Sequence, residues 1–212
     1  MKKHRGILIT FEGVDGSGKS TQARRLIRLL KAQGYPVLFV REPGGTPASE
    51  QIRRILLDRR LDISPISELL LYEAARAHLT ERVIIPALTK GMIVVCDRFT
   101  DSTVAYQGYG RGLDLAFVER LNRVSSSGII PDLTFIFDID YKTSLARRRR
   151  QADRLEKESR AFFERVRAGF KSIGAHKRVL LLDGREERAT LFQIVERRCL
   201  RLIARRIGRR AR

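Results

Sequence analysis

A glycine-rich segment near the start of the chain carries the residues with the clearest chemistry. Gly13–Ser20 has the spacing Gly-x-x-x-x-Gly-Lys-Ser, between an apolar run and a helical pattern, which is the context that a phosphate-binding P-loop requires. Glycines let backbone N–H groups approach phosphate oxygens closely. Lys19 supplies a cation for the β- and γ-phosphates, and the hydroxyl of Ser20 can bind Mg²⁺. The segment therefore predicts a nucleoside triphosphate site. Its candidate residues are Gly13, Val14, Asp15, Gly16, Ser17, Gly18, Lys19, Ser20 and Thr21.

An acid at the end of a later apolar run is the second candidate. Asp97 follows Ile93–Cys96, and Arg98 comes directly after it. In P-loop folds an acid at the end of such a strand holds Mg²⁺, directly or through water. Because ligands of open α/β sheets bind at the carboxyl edge of the strands, Arg98 is expected near a second phosphate. Ser20 and Asp97 are thus the candidate metal ligands.

The rest of the chain alternates between two hydrophobic patterns. Apolar runs separated by helical patterns predict βαβ units in a parallel sheet with helices on both faces. The expected fold class is therefore α/β, a P-loop kinase fold with five parallel strands. The runs are Ile7–Phe11, Val37–Val40, Ile93–Cys96, Leu133–Phe137 and Val179–Leu182.

Residues that favour helix ends divide the segments between the strands. A helix is expected from about Lys19 to Gln33, and Ser64-Pro65 is typical of a helix start. Asp114 can cap a helix over Leu115–Val124, and the last helix is expected to begin near Glu186. Since no linker or internal repeat interrupts this order, residues 1–212 are expected to form a single domain.

Composition limits the classes of protein that the chain can be. No apolar run reaches the 18 residues of a membrane span, and the two cysteines have no metal or redox spacing, so a reducing cytoplasmic setting is expected. The net charge is +19, and arginine supplies 34 of the 43 basic residues. Eight arginines and no acid lie in a basic tail, residues 197–212. Such charge favours polyanionic ligands, although a solvated, arginine-rich surface is the preferred explanation of the tail.

Several segments together resemble one family, the bacterial thymidylate kinases. The resemblance covers Ile7 to about Phe192, and its most specific markers are Arg-Glu-Pro-Gly-Gly-Thr at residues 41–46 and Ala-Tyr-Gln-Gly at residues 105–108. It implies transfer of a phosphoryl group from MgATP to dTMP, giving dTDP and ADP, in a homodimer. The remaining markers are residues 11–21, 69–76, 97–99 and 153–156.

The resemblance also assigns roles at the acceptor nucleotide. It implies that Asp15 binds the sugar 3′-OH, and a carboxylate suits this because it only accepts hydrogen bonds. Tyr72 matches the aromatic residue that stacks on thymine, and Arg76 matches the arginine that reaches the O4 atom of the base. Arg98, with Arg41 nearby, would hold the 5′-phosphate.

Three further residues match positions around the base and the sugar. Thr103 and Gln107 match residues that line the base edge near N3 and O2. Tyr106 matches a tyrosine beneath the sugar that disfavours a ribose 2′-OH. Each of these residue types also occurs in ordinary cores and surfaces, so the roles depend on the resemblance.

The resemblance further implies a lid, at about residues 142–158, that brings arginines to the phosphates. Some relatives carry an arginine inside the P-loop, where this chain has Gly16, so the missing charge is expected from the lid. Arg154 is the preferred candidate for the catalytic cation, followed by Arg150, beside Lys19 and Arg98. The segment before Asp153 is about one residue shorter than in the common bacterial form, which leaves the roles of residues 147–150 open.

Two other functions fit part of the sequence. A P-loop kinase of another deoxynucleotide or of a deoxynucleoside would share the same donor site. A nucleic-acid-binding ATPase would use the +19 charge and the basic tail. The chain has no recognised nucleic-acid module beside that tail, so nucleic acid is not the expected partner, and neither is a membrane.

Overall fold

The computed structural model describes residues 6–147, 154–155 and 157–208, and its centre is a five-stranded parallel sheet in the order β2-β3-β1-β4-β5. All five predicted strands are confirmed, and each continues one residue beyond its apolar run. That extra residue is charged in every strand, so charged side chains lie together along the carboxyl edge of the sheet. The strands are β1 Ile7–Glu12, β2 Val37–Arg41, β3 Ile93–Asp97, β4 Leu133–Asp138 and β5 Val179–Asp183.

Helices and two π-helical segments connect the strands. The α-helices are α1 Lys19–Ala32, α2 Pro47–Leu57, α3 Pro65–Leu79, α4 Ile85–Thr89, α5 Thr100–Thr103, α6 Leu115–Ser125, α7 Tyr141–Arg147, α8 Arg160–Ile173 and α9 Arg188–Gly208. The π-helical segments are Thr80–Ile84 and Val104–Gly110.

The predicted helix ends mostly agree with the observed ones. Ser64 and Asp114 cap α3 and α6, because their side chains accept hydrogen bonds from the N–H groups of Ser67 and Phe117. The last helix starts at Arg188, slightly later than expected. It continues to Gly208, so the basic tail is helical as far as the structure describes it.

The core lies on both faces of the sheet. On one face, α1 and α9 pack side by side against β1, β3 and β4 through Leu26, Leu30, Val195 and Cys199, all fully buried. Leu79 and Ile84 pack against β3 on the other face. Phe162 and Phe170 of α8 cover the neighbouring part of that face. The near-continuous apolar strands reflect this two-sided burial.

The P-loop leaves the sheet at its central strand. Gly13, Gly16 and Gly18 all have positive φ angles (130°, 82° and 93°), which side chains rarely tolerate. A Cβ atom on Gly13 would also lie 2.5 Å from the carbonyl oxygen of Phe137. The glycine spacing therefore serves the backbone path as well as phosphate binding.

No helix in the described ranges is both long and apolar enough to cross a membrane.

Candidate active site

The register of the sheet brings the two candidate metal ligands together. Phe11 of β1 lies opposite Asp97 of β3, so the P-loop and Asp97 leave the same edge of the sheet. The Ser20 hydroxyl donates to Asp97 Oδ2, while the buried Oδ1 atom has no hydrogen-bond partner. Two oxygen ligands beside phosphate-binding amides suit Mg²⁺, which usually keeps waters and takes one or two side-chain oxygens plus phosphate. The residues present thus fit the ion, although nowhere in the described residues do three acidic, histidine or cysteine side chains form a cluster.

Lys19 of the P-loop pairs with an acid of the same loop. Its Nζ atom lies 3.2 Å from Asp15 Oδ1 and 3.4 Å from the Val14 carbonyl oxygen. Burial opposes the charge of Asp15, but Lys19 and Arg98 outweigh burial and hold its pKa below the ordinary value. Asp15 is therefore an ionised acceptor at the mouth of the P-loop.

Arg98 lies at the centre of the site in an unusual backbone conformation, with a φ of 70°. Its guanidinium donates to the Gly13 carbonyl at 2.9 Å and to Asp15 Oδ1 at 2.8 Å, and it lies 5.2 Å from the centre of the Tyr106 ring. These contacts orient the cation toward the acceptor side of the P-loop. Burial lowers the pKa of an arginine, yet the surrounding acids and Tyr106 raise that of Arg98 above its ordinary value.

A buried carboxyl group supports the segment that carries Arg98. Glu12, the last residue of β1, is fully buried; it accepts from the Phe99 N–H at 2.7 Å and from the Ser102 hydroxyl at 2.5 Å. Burial and the nearby charge of Asp101 raise its pKa to about 8, against the lowering effects of its hydrogen bonds and of Arg98. Sequence reasoning missed Glu12, whose only signal was an acid at the carboxyl edge.

The structure brings seven of the eight predicted acceptor residues around one cleft, with about 570 Å³ of empty space including part of the open solvent. The exception is Arg41, which pairs with Glu50 at 3.2 Å and has a half-exposed side chain. The predicted residues at the cleft are Asp15, Tyr72, Arg76, Arg98, Thr103, Tyr106 and Gln107. The lining residues that sequence reasoning missed are Glu42, Pro43, Arg53, Leu57, Ser102 and Leu155.

Arg76 is buried, whereas an arginine at this place in the sequence would on its own be predicted to be a solvated surface residue. It is 2% exposed, and each terminal nitrogen donates twice: to Glu73 and Asn122, and to Thr103 and the Phe99 carbonyl. Its Nε atom donates to Glu42 at 2.7 Å. A contact with the O4 atom of the base would have to share one of these donors, so this role stays a prediction.

Glu68 of α3 joins several polar residues beside the cleft. Its carboxylate has no exposed surface and accepts from Gln107 Nε2 at 2.8 Å and from Arg111 Nη2 at 2.9 Å. The Nη2 atom of Arg154 lies 2.6 Å from the same carboxylate. Burial opposes ionisation, but hydrogen bonds from Arg111 and Gln107 and the positive charges of Arg111 and Arg154 hold the pKa of Glu68 below its ordinary value. No motif marked Glu68, because its partners lie 39 or more positions away.

The structure divides the predicted lid arginines between two places. Arg154 donates to the Leu56 carbonyl and pairs with Glu68, and it is not among the described residues that line the P-loop cleft. Arg147 does line that cleft and donates to the Gly184 carbonyl at 2.7 Å. Arg150 lies outside the described residues. The catalytic roles of Arg154 and Arg150 stay predictions.

Helix α7 contacts the P-loop directly. The Ser144 hydroxyl donates to the Asp15 carbonyl at 2.7 Å. A Cβ atom at Gly16 would lie 3.0 Å from the Ser144 carbonyl and 3.3 Å from Arg147 Cβ. A side chain at position 16 would therefore require α7 to shift slightly in this chain.

These features define a class of protein. A P-loop after the central strand, an acid opposite it on β3 and a second cleft reached by Asp15 are the parts of a P-loop kinase of a small acceptor.

Comparison with known proteins narrows the class, because the thymidylate kinase family model matches residues 11–193. The chain is 47% identical to a thymidylate kinase of Chlorobaculum parvum over 190 residues, 84% of this chain and 88% of that protein. It is 49% identical to one of Pelotomaculum thermopropionicum over 175 residues, 81% of each chain. A crystal structure of thymidylate kinase from Ehrlichia chaffeensis superposes with a TM-score of 0.72 at 34% identity, covering 93% of this chain and 98% of that one. The chain belongs to the thymidylate kinase family.

Proposed function

We propose that the protein transfers the γ-phosphoryl group of ATP to the 5′-phosphate of dTMP, giving dTDP and ADP. The observation that supports this most directly is the position of Asp15, which lines both the P-loop cleft and the acceptor cleft. A donor in one cleft and an acceptor in the other would meet at this residue.

On the donor side, we propose that the P-loop amides and the positive end of α1 bind the β-phosphate. Lys19 would leave its resting contact with Asp15 to neutralise charge on the transferred group. Ser20 and Asp97 would hold Mg²⁺, which supplies positive charge to the phosphate oxygens when bound. Arg147 faces the same cleft, and Arg154 and Arg150 are the further candidates for a catalytic cation.

On the acceptor side, we propose that Arg98 holds the 5′-phosphate of dTMP. Asp15 Oδ1 already accepts from Lys19 and Arg98, so Oδ2 is the atom for the sugar 3′-OH. Tyr72 and Tyr106 would face the base and the sugar, with Thr103 and Gln107 at the base edge. Because the acceptor phosphate is already anionic, the reaction requires positioning and charge neutralisation rather than a strong general base.

The acceptor is tested by a panel of dTMP, dUMP, dCMP and thymidine with ATP and Mg²⁺, each followed by ADP release. We expect the highest kcat/KM for dTMP; dominant turnover of another acceptor would contradict the proposal. In Lys19→Ala, transfer to dTMP should fall by at least about 100-fold, because removing one preorganised charge typically costs that much.

The metal ligands are tested by replacing Asp97 with Asn. We expect the Mg²⁺ concentration for half-maximal rate to rise by about tenfold or more, since a neutral amide binds the ion less strongly. An unchanged Mg²⁺ dependence would exclude Asp97 as a ligand.

The resemblance also supports a homodimer and a cytoplasmic location. Light scattering of the purified chain tests the first, and a monomer at micromolar concentration would contradict it. Fractionation of the producing cells tests the second.

A further inference from the structure

The buried carboxylate of Glu68 settles which way the side-chain amide of Gln107 points. An ionised carboxylate only accepts hydrogen bonds, whereas an amide has one donating end and one accepting end. The Nε2 atom of Gln107 lies 2.8 Å from Glu68 Oε1. The amide nitrogen therefore faces Glu68 through one of its two N–H groups. The amide oxygen is directed away from that carboxylate, and we take it as the end available to the cleft that Gln107 lines.

Two arginines keep Glu68 in this accepting form. Arg111 donates from Nε and Nη2 to the two carboxylate oxygens at 3.1 and 2.9 Å, and Arg154 Nη2 lies 2.6 Å from Oε2. Arg111 itself is fixed on its other side by Glu158 at 2.6 Å. Two cationic partners favour the ionised form of this carboxylate although it has no exposed surface, and its lowered pKa agrees with this.

The orientation of Gln107 has a consequence for the choice of base. The pairing edge of thymine has a single donor, the N3–H group, between two carbonyl oxygens. Cytosine has a lone pair at N3 instead. An amide oxygen that faces this atom places two hydrogen-bond acceptors against each other without a hydrogen between them. A site built for one pattern rejects the other strongly, because buried polar groups are then left unpaired.

We propose that Glu68 is a specificity-determining residue that acts through Gln107: by holding the amide nitrogen, it presents the amide oxygen to a ring N3–H and so selects thymine over cytosine. The inference rests on the proposed placement of the acceptor base at Gln107. Glu68 acts as a positioning residue and does not itself touch the nucleotide.

The test is Glu68→Gln, with kcat/KM measured for dTMP, dUMP and dCMP. Arg111 and Arg154 only donate, so they are expected to take the oxygen of the introduced amide and leave its NH₂ group for Gln107. Gln107 would then turn its own NH₂ group into the cleft. We expect the dTMP/dCMP ratio of kcat/KM to fall by about tenfold or more. The dTMP/dUMP ratio should stay unchanged, because uracil also carries N3–H.

Both ratios are measured on one preparation, so a partly folded variant does not affect them. Equal losses for all three acceptors, or an unchanged dTMP/dCMP ratio, would overturn the proposal. Arg111→Lys is the matched control: it disturbs the ion pair but leaves an accepting carboxylate at Gln107, so its dTMP/dCMP ratio should stay within about threefold of the wild-type ratio.

Gln107→Ala separates this inference from the proposed placement of the base. If Gln107→Ala leaves the dTMP/dCMP ratio unchanged, the base does not lie at Gln107 and both ideas fail. If Gln107→Ala lowers the ratio and Glu68→Gln does not, only the role of Glu68 fails. When both lower it, adding Glu68→Gln to Gln107→Ala should cause no further loss, because the two act as a unit.

A wild-type structure with dTMP gives a second test should Glu68→Gln not fold. We expect the Gln107 oxygen at about 3 Å from N3 of the base. An amide nitrogen at that place would overturn the proposal.

Discussion

Hydrogen bonds fix the position of individual charged groups at the acceptor cleft. The geometry of these hydrogen bonds matters as much as the sign of the charge. Arg98 donates from one nitrogen to the Gly13 carbonyl and from the other to Asp15. A lysine keeps the charge but lacks this fork. For Arg98→Lys we expect kcat/KM for dTMP to fall about 10- to 100-fold, the value of one or two hydrogen bonds to a charged group, with the KM for ATP little changed.

Steady-state kinetics with each substrate varied in turn measures this effect. Arg24→Lys is the control, since Arg24 lies on the exposed face of α1. If the Arg98→Lys enzyme kept the wild-type kcat/KM for dTMP, only the positive charge at position 98, and not the geometry of its hydrogen bonds, would contribute to turnover.

Glu12 makes the stability of the protein depend on pH. Burial first, and then Asp101, raise its pKa from 4.5 to about 8. Between these two values the folded state binds more protons than the unfolded state, so this contribution is complete below pH 4.5 and is lost as the pH rises toward 8. Gln resembles the protonated acid: its oxygen can accept from Phe99 and its NH₂ group can donate to Ser102. We therefore expect Glu12→Gln to gain Tm relative to the wild type as the pH rises from 5 to 8.

Thermal unfolding at several pH values measures this difference. Each kcal/mol corresponds to about 2–4 °C for a chain of this size. A Tm difference that stays constant across the range would show that Glu12 does not take up a proton on folding.

At the scale of elements, α7 and the P-loop are packed so closely that a side chain at position 16 would require one of them to shift. Gly16→Ala places a Cβ atom 3.0 Å from the Ser144 carbonyl, at a φ of 82°. Gly34 has a similar φ of 78° after α1, but a Cβ atom there meets nothing within 4 Å. Both variants should lose about 1–2 kcal/mol from the backbone conformation alone. Only Gly16→Ala should also raise the KM for ATP, because α7 must move.

Chemical denaturation and initial rates on the two variants separate these effects. Equal kinetics in Gly16→Ala and Gly34→Ala would contradict a role for the contact between α7 and the P-loop.

Local sequence patterns predicted the elements well, because strands and caps depend on neighbouring residues. Ser64 and Asp114 cap helices where expected, yet Thr46 and Ser159, which cap α2 and α8 in the same way, were missed. No local pattern contains the strand order β2-β3-β1-β4-β5. That order depends on packing between distant parts of the chain.

The candidate site also contains residues that local sequence patterns do not predict. Motif residues such as Asp15, Arg98 and Gln107 were predicted because they lie in short segments that resemble a known family. The acids that hold them were not: Glu12 binds a segment 87 positions away, and Glu68 binds Gln107 across 39 positions. Buried carboxylates of this kind leave no local signal, since their partners become neighbours only in the folded sheet.

For the whole molecule, two neighbouring helices carry much of the positive charge. Helix α1 has no acidic residue, and α9, which packs beside it, has only Glu196 among its many arginines. A surface of this kind binds polyanions in proportion to its charge, and binding weakens as salt rises. The charge alone therefore does not indicate a nucleic-acid function.

Two truncations of α9 separate charge from folding. Removing residues 208–212 deletes three arginines beyond the described helix. We expect unchanged dTMP turnover and Tm, with elution from heparin at lower salt. ATP hydrolysis stimulated by DNA in the full chain without dTMP would instead favour the nucleic-acid ATPase.

Removing residues 203–212 also deletes Ile203, which is 2% exposed, and Arg206, which pairs with Asp132. Asp132 in turn accepts from the Leu8 N–H at 2.9 Å, so the end of α9 is tied to the central strand. Burying one isoleucine contributes about 1.5–3 kcal/mol, equivalent to a Tm loss of about 3–12 °C at this chain length. We expect this loss in the longer truncation alone, while heparin elution shifts in both. Equal Tm values for the two truncated chains would show that the last turns of α9 carry charge without supporting the fold.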